Sequence, residues 1–383
     1  MSKVSIVRCD SYQQEEVDNA VRESLQLIGG IDEIIKPQDR VLLKVNMINS
    51  DFPEKAATTH PSILRAVIRV VKEMGGEAVV GDAPGVAYRY IERAWQKTGL
   101  RRAAEEEGAE VINFREVEEI DNSTNNKRIP VLHIAKEVLD ADVVISLPKL
   151  KTHSFTLFTG AIKNLYGTIP GFRKKELHGL APRPQDFAEL MVDIFSVVKP
   201  SLAIMDGVVG MEGDGPICGS PHKVGLILAS RDLVSLDAVA SNIIGYHPFD
   251  IEITKAGAKR GLGVGKLEEI EIKGVPLNEV KIEDFKLVSN LNTLLKRVPS
   301  FVFSTLRPAA YLFLKVTPGV DEDSCKRCGD CAEACPVKAI KMENHKCPVI
   351  NQKRCIRCFC CTEVCSYGSM KIERNWLARK LKM

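Results

Sequence analysis

The sequence carries little excess charge and few aromatic residues. Its 383 residues include 53 basic and 50 acidic side chains, which leave a net charge of +3, and aromatic residues make up 6% of the chain. A general nucleic-acid binder needs a basic surface and aromatic stacking platforms, so this composition argues against that class. The chain begins without an apolar run long enough for a signal peptide. We therefore expect a cytoplasmic protein that binds no nucleic acid.

Three common nucleotide and hydrolase motifs are also missing. The chain has no G-x-x-x-x-G-K-[ST] segment, no G-x-G-x-x-G segment after the first predicted strand and no G-x-S-x-G segment. A glycine run at 261–265 follows a predicted helix, which is the wrong context for a dinucleotide site. The sequence therefore supports neither an ATP site, nor a Rossmann dinucleotide site, nor a hydrolase elbow.

Apolar runs of membrane-spanning length are scarce. The segment 298–316 is rich in Phe, Leu, Ala and Val, but Arg307 and Pro308 interrupt this run at its middle. A charge and a proline there argue against an uninterrupted span, so we predict no transmembrane segment. We interpret the segment 285–319 as a partly buried helical connector, with a membrane-surface helix as the alternative.

Short apolar runs alternate with helical patterns from the start of the chain to position 284. Strands are predicted near 4–7, 41–45, 77–80, 143–147, 202–205 and 224–228, and helices near 61–74 and 233–244. Strands that alternate with helices predict a large α/β domain at 1–284, with a mainly parallel sheet and crossover helices. In such sheets, ligands bind beyond the carboxyl ends of the strands.

Cysteine is concentrated near the end of the chain. Ten of the twelve cysteines lie in the short segment from Cys325 to Cys365. The spacing C-x2-C-x2-C-x3-C begins at Cys325 and recurs in full from Cys355, so each of the four cysteines of the first motif has an equivalent in the second. Such clustering differs from the disulfide framework of a secreted domain, and it indicates a reducing compartment. The constant offset between the halves, called the repeat offset below, indicates an internal duplication.

The repeated spacing is typical of bacterial ferredoxins, in which the fourth cysteine of each half ligates the other cluster. We therefore predict two [4Fe-4S] clusters in a small α+β ferredoxin-like domain at 320–375, followed by a basic tail at 376–383. The predicted ligands of the first cluster are Cys325, Cys328, Cys331 and Cys365. The predicted ligands of the second cluster are Cys355, Cys358, Cys361 and Cys335.

Zinc is the alternative occupant of four-cysteine sites. Structural zinc usually uses two C-x2-C pairs separated by a longer spacer, which fits this spacing poorly. Cys347 and Cys360 are surplus to the eight predicted ligands. Their default interpretation is that of small buried side chains, with a spare-ligand role as the alternative.

Basic residues are concentrated at 148–183, directly after a predicted buried strand. This segment has seven basic residues against the single acid Glu176. The turn at Thr159 and Gly160 opens a predicted helix whose backbone N–H groups could bind an anion. We interpret the segment as a pocket for a carboxylate or phosphate group, with a solvated basic surface as the alternative.

Further polar side chains follow the predicted strands at the same edge of the sheet. We predict that the substrate is bound by Lys44, Asn46, His60, Asp82, Lys149, Lys151 and Asn164. We predict catalytic roles for His153, His178 and Lys163, because imidazole titrates near neutrality and a lysine can bind the anionic group. Asp82 and His60 could instead serve a turn and a helix cap. The acidic segment 206–214 resembles a flexible turn, a lid or an oxygen-rich metal loop.

The chain resembles the iron–sulfur proteins of the domain-of-unknown-function 362 family from about position 1 to position 375. The matching segments are LKVN at 43–46, GDAPG at 81–85, PKLKTH at 148–153, TGAIKNLYG at 159–167 and CIRCFCC at 355–361. This resemblance implies a ferredoxin-like module appended to an α/β domain, and it implies no particular reaction. A fainter similarity to nickel-pincer lactate racemases rests on Lys163 after Gly160 and on Pro170 and Gly171; it implies a cofactor-anchoring Lys163.

Two functional hypotheses follow. In the first, the chain is an oxidoreductase whose clusters relay single electrons to or from a small anionic substrate in the basic pocket. In the second, it is a non-enzymatic electron carrier or iron–sulfur docking protein that recognises a redox partner protein. Basic residues near the end of the chain, Arg374, Arg379, Lys380 and Lys382, could then steer an acidic partner. A response to small anions would favour the first hypothesis.

Overall fold

The computed structural model describes residues 1–85, 88–122, 128–171, 173–288, 316–343 and 346–380. The strands are β1 (Ser2–Arg8), β2 (Arg40–Val45), β3 (Glu77–Asp82), β4 (Glu110–Asn113), β5 (Val117–Asp121), β6 (Val131–Ala135), β7 (Val143–Leu147), β8 (Lys149–His153), β9 (Leu157–Thr159), β10 (Leu202–Glu212), β11 (Ser220–Ser230), β12 (Ile270–Gly274), β13 (Val316–Val320), β14 (Ile340–Lys341), β15 (Val349–Ile350) and β16 (Met370–Arg374).

The helices are α1 (Gln14–Leu27), α2 (Pro61–Glu73), α3 (Ile91–Lys97), α4 (Leu100–Glu106), α5 (Lys136–Leu139), α6 (Ala161–Asn164), α7 (Arg173–Leu180), α8 (Pro184–Val198), α9 (Leu233–Ile243), α10 (Glu252–Lys259), α11 (Asp330–Glu333), α12 (Cys360–Glu363) and α13 (Trp376–Lys380). Short 3₁₀ turns lie at Pro53–Lys55, Tyr88–Tyr90, Leu165–Thr168, Pro248–Asp250, Leu267–Glu269 and Leu277–Glu279. Within the described parts of the chain, no helix has the length and apolarity to cross a membrane.

A ten-stranded sheet organises the large domain. Its main path runs β12-β1-β11-β10-β7-β2-β3-β4, and β8 and β9 branch from β10. Strand β11 is antiparallel to both of its neighbours, while the other pairs along the path are parallel. The predicted α/β domain with a mainly parallel sheet is therefore confirmed.

The sheet is buried on both faces, because its strand residues alternate between two apolar cores. On β2, Leu42 packs into one core, whereas Val41 and Leu43 pack into the other. Helices α1, α2 and α4 supply the second core, and α8 and α9 supply the first. This three-layer arrangement leaves the carboxyl ends of the parallel strands as the natural place for a site.

The sequence signals at helix ends act as predicted. Helix α2 begins at Pro61, and the Nδ1 atom of His60 accepts a hydrogen bond from the backbone N–H of Ser62 at 3.2 Å. The helix ends before Gly75, whose φ of +79° lies in the left-handed region that glycine tolerates. His60 therefore caps helix α2, which is the role that the sequence offered as the alternative to substrate binding.

The small domain repeats its backbone with the same offset as its sequence. Helices α11 and α12 occupy equivalent positions in the two halves, and the residues before them, Gly329 and Phe359, both have positive φ. Strand β13 pairs antiparallel with β16 and joins the two ends of the domain. Most of the predicted connector, at 289–315, lies outside the described residues. The segment 316–319 belongs to a strand, so the predicted helical connector is wrong at that end.

Candidate functional site

A cavity of about 180 Å³ lies between the carboxyl edge of the sheet and the small domain. Seven of the predicted site residues line it: Lys44, Asn46, Asp82, Lys151, Lys163, Asn164 and His178. They come from the ends of β2 and β3, from β8 and from the helices that follow. Three predicted residues, His60, Lys149 and His153, do not line the cavity.

The small domain supplies a wall that the sequence did not predict. Helices α11 and α12 contribute residues at positions that are equivalent under the repeat offset: Asp330 and Cys360, Glu333 and Glu363, and Ala334 and Val364. The cavity therefore contacts both halves of the duplicated domain. The surplus cysteine Cys360 was the available clue, since nothing in the ligand spacing explains its presence.

One lysine of the cavity, Lys44, is paired internally. Its Nζ lies 2.9 Å from Oδ1 of Asp82 and donates to the Val45 carbonyl at 2.7 Å. The other carboxylate oxygen of Asp82 accepts from the backbone N–H of Met47 at 2.8 Å. Burial lowers the pKa of Lys44, and the adjacent Asp82 opposes that shift. A Cβ at Gly167 would collide with both side chains, which explains the glycine there.

Three other lysines have no carboxylate partner among the described residues. Lys151 is 1% exposed, and its Nζ donates only to the carbonyl of Ala57, at 2.5 Å. Burial, reinforced by the nearby Lys163, lowers the pKa of Lys151 to about 7. Burial also lowers the pKa of Lys163, and it lowers that of Lys174 to about 8. Among the described residues none of these three lysines forms a direct ion pair, although the carboxylate of Glu363 acts on all three through its charge.

The two predicted catalytic histidines have different surroundings. His178 stacks on Phe187 with ring centroids 4.6 Å apart, and burial lowers the pKa of His178 to about 3. His153 lies behind the cavity wall, where its Nδ1 accepts from the backbone N–H of Phe155 at 3.1 Å. Burial lowers the pKa of His153 to about 4. Both imidazoles are therefore neutral near pH 7, and of the two only His178 lines the cavity.

Glu363 connects the two domains at this wall. Its Oε1 lies 3.4 Å from Nε2 of His153. Burial raises the pKa of Glu363, but the contact with His153 and the charge of Lys163 outweigh it and hold the pKa at about 2. The small domain thus places one carboxylate beside the cationic wall of the large domain.

Several buried polar atoms of the cavity wall have no hydrogen-bond partner among the described residues. These atoms are Oδ1 of Asn46, Oγ1 of Thr159 and Nδ1 of His178. The exposed fractions of these residues are 9%, 3% and 4%. A buried polar atom left unpaired costs roughly 1–3 kcal/mol. Such atoms at one cavity fit a polar ligand that pairs with them.

Lys149 belongs to a separate buried network. Its Nζ lies 2.8 Å from Oδ2 of Asp206 and 2.7 Å from the hydroxyl of Tyr12. The same carboxylate accepts from the backbone N–H of His60 at 2.9 Å, and His60 stacks on Tyr12. The polar groups of Lys149 and His60 are thus paired within the protein, and neither residue lines the cavity.

The predicted anion site at the turn before α6 is already filled by a side chain of the protein. The backbone N–H groups of Ala161 and Ile162 donate to the carboxylate of Asp237, at 2.6 and 3.2 Å. A side chain at Gly160 would collide with this carboxylate, which explains the glycine. The start of the helix is therefore occupied by the carboxyl group of Asp237, whose pKa burial raises to about 7.

The acidic segment 206–214 forms no loop over most of its length, because residues up to Glu212 belong to strand β10. Its acids pair with basic side chains of the protein: Asp206 with Lys149, Glu212 with His222, and Asp214 with Arg374. Among the described residues, no set of three His, Cys, Asp or Glu side chains converges to hold a single metal ion. The predictions of a lid, a flexible turn or a metal loop are wrong for positions 206–212.

The small domain contains two further cavities lined by cysteines. One is lined by Cys325, Cys328, Cys331 and Cys365. The other is lined by Cys335, Cys355, Cys358 and Cys361 and also by the surplus Cys360. With Cys360 set apart, each cavity has three cysteines from one half of the repeat and a fourth from the other half. We call these two sets of four the first and second quartets.

The surroundings of the quartets fit iron–sulfur ligation. Backbone N–H groups of Ala339 and Ser369 donate to the sulfurs of Cys335 and Cys365, at 3.2 and 3.3 Å. Hydrogen bonds of this kind stabilise thiolate sulfur and tune cluster potentials. Each of the twelve cysteines is a free thiol.

Comparison with known proteins agrees with both domains. The profile of the family described as Domain of unknown function (DUF362) matches residues 41–242, and the profile of the 4Fe-4S binding domain matches residues 318–341. The Thylakoid-associated protein sll1697 of Synechocystis sp. is 32% identical over 316 residues, covering 82% of this chain and 97% of that protein.

Two other similarities are more limited. Pyruvate synthase subunit PorD of Methanothermobacter marburgensis is 70% identical over 27 residues, which are 7% of this chain and 33% of that protein. The lactate racemase apoprotein of Thermoanaerobacterium thermosaccharolyticum matches with a TM-score of 0.40 and 13% identity, over 61% of this chain and 55% of that one. By its matching profile and its full-length relative, the chain belongs to the DUF362 family and carries a 4Fe-4S binding domain.

Proposed function

We propose that the chain is an oxidoreductase that binds two [4Fe-4S] clusters and exchanges electrons with a small anionic substrate. The substrate site is the cavity between the two domains. The observation that carries this proposal is the shared wall: Lys163 and His178 face the same cavity as Cys360, which also lines the cavity of the second quartet. Placing an electron relay beside a pocket keeps donor and acceptor at high effective concentration.

The two quartets are the proposed ligand sets of the clusters. When bound, the clusters would supply one-electron transfer. Their crossed composition matches the ferredoxin pattern, in which the fourth thiolate of each half serves the other cluster. The 4Fe-4S profile, which matches residues 318–341, supports cluster binding by this domain.

The large domain would bind and orient the substrate. Lys163 and Lys174 offer the anionic group their ammonium charges, and Asn46 and Thr159 offer polar atoms that lack internal partners among the described residues. The neutral His178 can hold a hydrogen bond to the substrate. His153 positions Glu363 at the domain boundary. Apolar side chains such as Phe114 exclude water from the same cavity.

We propose an α/β substrate domain at 1–284, a connector from 285 to the start of β13, a cluster domain that begins with β13 at Val316 and extends to 375, and a basic tail at 376–383. The proposed location is a reducing, cytoplasmic compartment, supported by the clustering of ten cysteines between Cys325 and Cys365. A redox partner protein would supply or remove electrons.

The test is anaerobic reconstitution with iron and zinc quantitation, followed by a thermal-shift screen of small organic anions. We expect about eight irons per chain, and at least one anion that raises the unfolding temperature. Zinc in place of iron, or about four irons per chain, would overturn the assignment of two clusters.

A non-enzymatic electron carrier is the second candidate, and the exposed Cys328 favours it. A cluster ligand at the surface suits exchange with a protein partner. This candidate predicts that a single redox protein co-purifies with the chain while no anion changes its unfolding temperature. The two outcomes of the screen therefore separate the candidates.

A further inference from the structure

The two quartets are equivalent by sequence, but the protein surrounds them differently. Cys328 of the first quartet is exposed, whereas the equivalent Cys358 of the second quartet is 7% exposed. The cavity of the first quartet also contacts Lys326, Arg327 and Asp330. Solvent exposure and nearby charge are two of the factors that set cluster potentials.

The second quartet has an apolar environment instead. Besides the cysteines, its cavity is lined by side chains without charge: Pro318, Pro336, Val337, Ala339, Ile340, Ile350, Ile356 and Phe359. No charged side chain of the described residues lines this cavity. The protein therefore shields Cys358 from water and leaves its equivalent Cys328 exposed, while Cys335 and Cys355 of the second quartet are partly exposed, as Cys325 of the first is.

The residues that separate each quartet from the substrate cavity also differ. Asp330 stands between the cavity and the first quartet, and Cys360 stands at the equivalent position before the second. One carboxylate oxygen of Asp330 is engaged by Arg89, and the other lies 3.3 Å from the sulfur of Cys328, a proposed cluster ligand. Cys360 presents a thiol to the cavity that Lys163 also lines.

We propose that the quartets act in a fixed order, with the second quartet exchanging electrons with the substrate cavity through Cys360 and the first exchanging them at the surface. This inference rests on the proposed function. Each transfer moves one electron and no atom: a reduced one-electron carrier protein is oxidised at the first quartet, and the substrate is reduced beside the second. The reverse direction uses the same order.

The order predicts that charges on the two sides act on different clusters. In Lys163→Met, loss of a positive charge near the second quartet should lower the electron affinity of one cluster about threefold to tenfold. Lys326→Met should lower the electron affinity of the other cluster. Cys360→Ala should perturb the same signal as Lys163→Met. Lys259, exposed at the end of α10, provides a control that should affect neither.

The experiment is a potentiometric titration of the reconstituted full chain, followed by EPR, in which two reduction steps are resolved. Separate responses to Lys163→Met and Lys326→Met support the order. Three results would overturn the order. Lys163→Met could shift both reduction steps equally, it could shift neither, or both variants could shift the same step. If the two variants shift different reduction steps but no anion raises the unfolding temperature in the screen, the order of the quartets stands and the proposed substrate does not.

Discussion

Lys149 and Lys151 lie on the same strand, β8, and both side chains are buried, with 0% and 1% exposure. Lys149 has a carboxylate oxygen of Asp206 at 2.8 Å, whereas Lys151 has only a backbone carbonyl. A buried charge is costly unless it is paired, so the first lysine is explained by the fold alone. The second retains a cost within the fold, and an anionic ligand in the cavity would offset that cost.

The largest loss of stability should come from breaking the ion pair between Lys149 and Asp206. Asp206→Asn removes the counter-ion of Lys149 and leaves a buried cation, which should lower the free energy of unfolding by about 3–5 kcal/mol. Lys151→Met removes an unpaired cation together with its burial cost, so it should raise the free energy of unfolding. Chemical denaturation of the two variants measures the difference.

The double variant Lys149→Met, Asp206→Asn is the control for this comparison. Because it removes both charges, it should recover most of the stability lost in Asp206→Asn. Similar losses in Asp206→Asn and Lys151→Met would contradict the distinction between a paired and an unpaired lysine.

The next effect concerns pH. Burial sets the pKa of Lys151 at about 7 and that of Lys174 at about 8, and their protonated forms would bind the anion. Affinity should therefore fall as pH rises through this range, by up to about tenfold per pH unit for each proton required. Calorimetric titration between about pH 6 and pH 9 measures this slope.

Stability without ligand should change in the opposite direction. A lysine whose folded pKa lies below its unfolded value binds more protons when unfolded, so stability rises with pH above about 7. Lys151→Met should weaken this rise. Affinity that increases with pH would contradict the assigned role of these lysines.

The smallest effect should come from an ion pair nearer the surface. Arg374 of the small domain pairs with Asp214 of the large domain, and both side chains are partly exposed. Arg374→Ala should lower the free energy of unfolding by no more than about 1 kcal/mol. If Arg374→Ala lowered the free energy of unfolding as much as Asp206→Asn does, burial would not explain the difference between the two ion pairs.

The parts of the molecule that the sequence predicted are those governed by local spacing. The strand at 41–45, the helix that begins at Pro61 and the α/β class follow from periodicity and caps. The crossed quartets follow from a spacing in which short loops hold three thiolates and the duplication supplies the fourth.

Other features depend on which groups meet across long sequence separations. Lys149 and Asp206 are far apart in the sequence, and so are helix α6 and the Asp237 that caps it. Neither contact leaves a pattern in the local sequence. The contact of Glu363 with the large domain also spans a long sequence separation, so the local sequence did not predict it. The repeat offset, which relates Glu363 to Glu333, was the available signal.

The most direct test of the account is the affinity of an anion found in the screen for the reconstituted protein and for Lys163→Ala. We expect at least about a tenfold loss in the variant, because a charged hydrogen bond contributes about 1.5–3 kcal/mol, with the iron content unchanged. Lys259→Ala should bind the anion like the unmodified protein. Equal affinity in Lys163→Ala and the unmodified protein would contradict an anion site between the two domains.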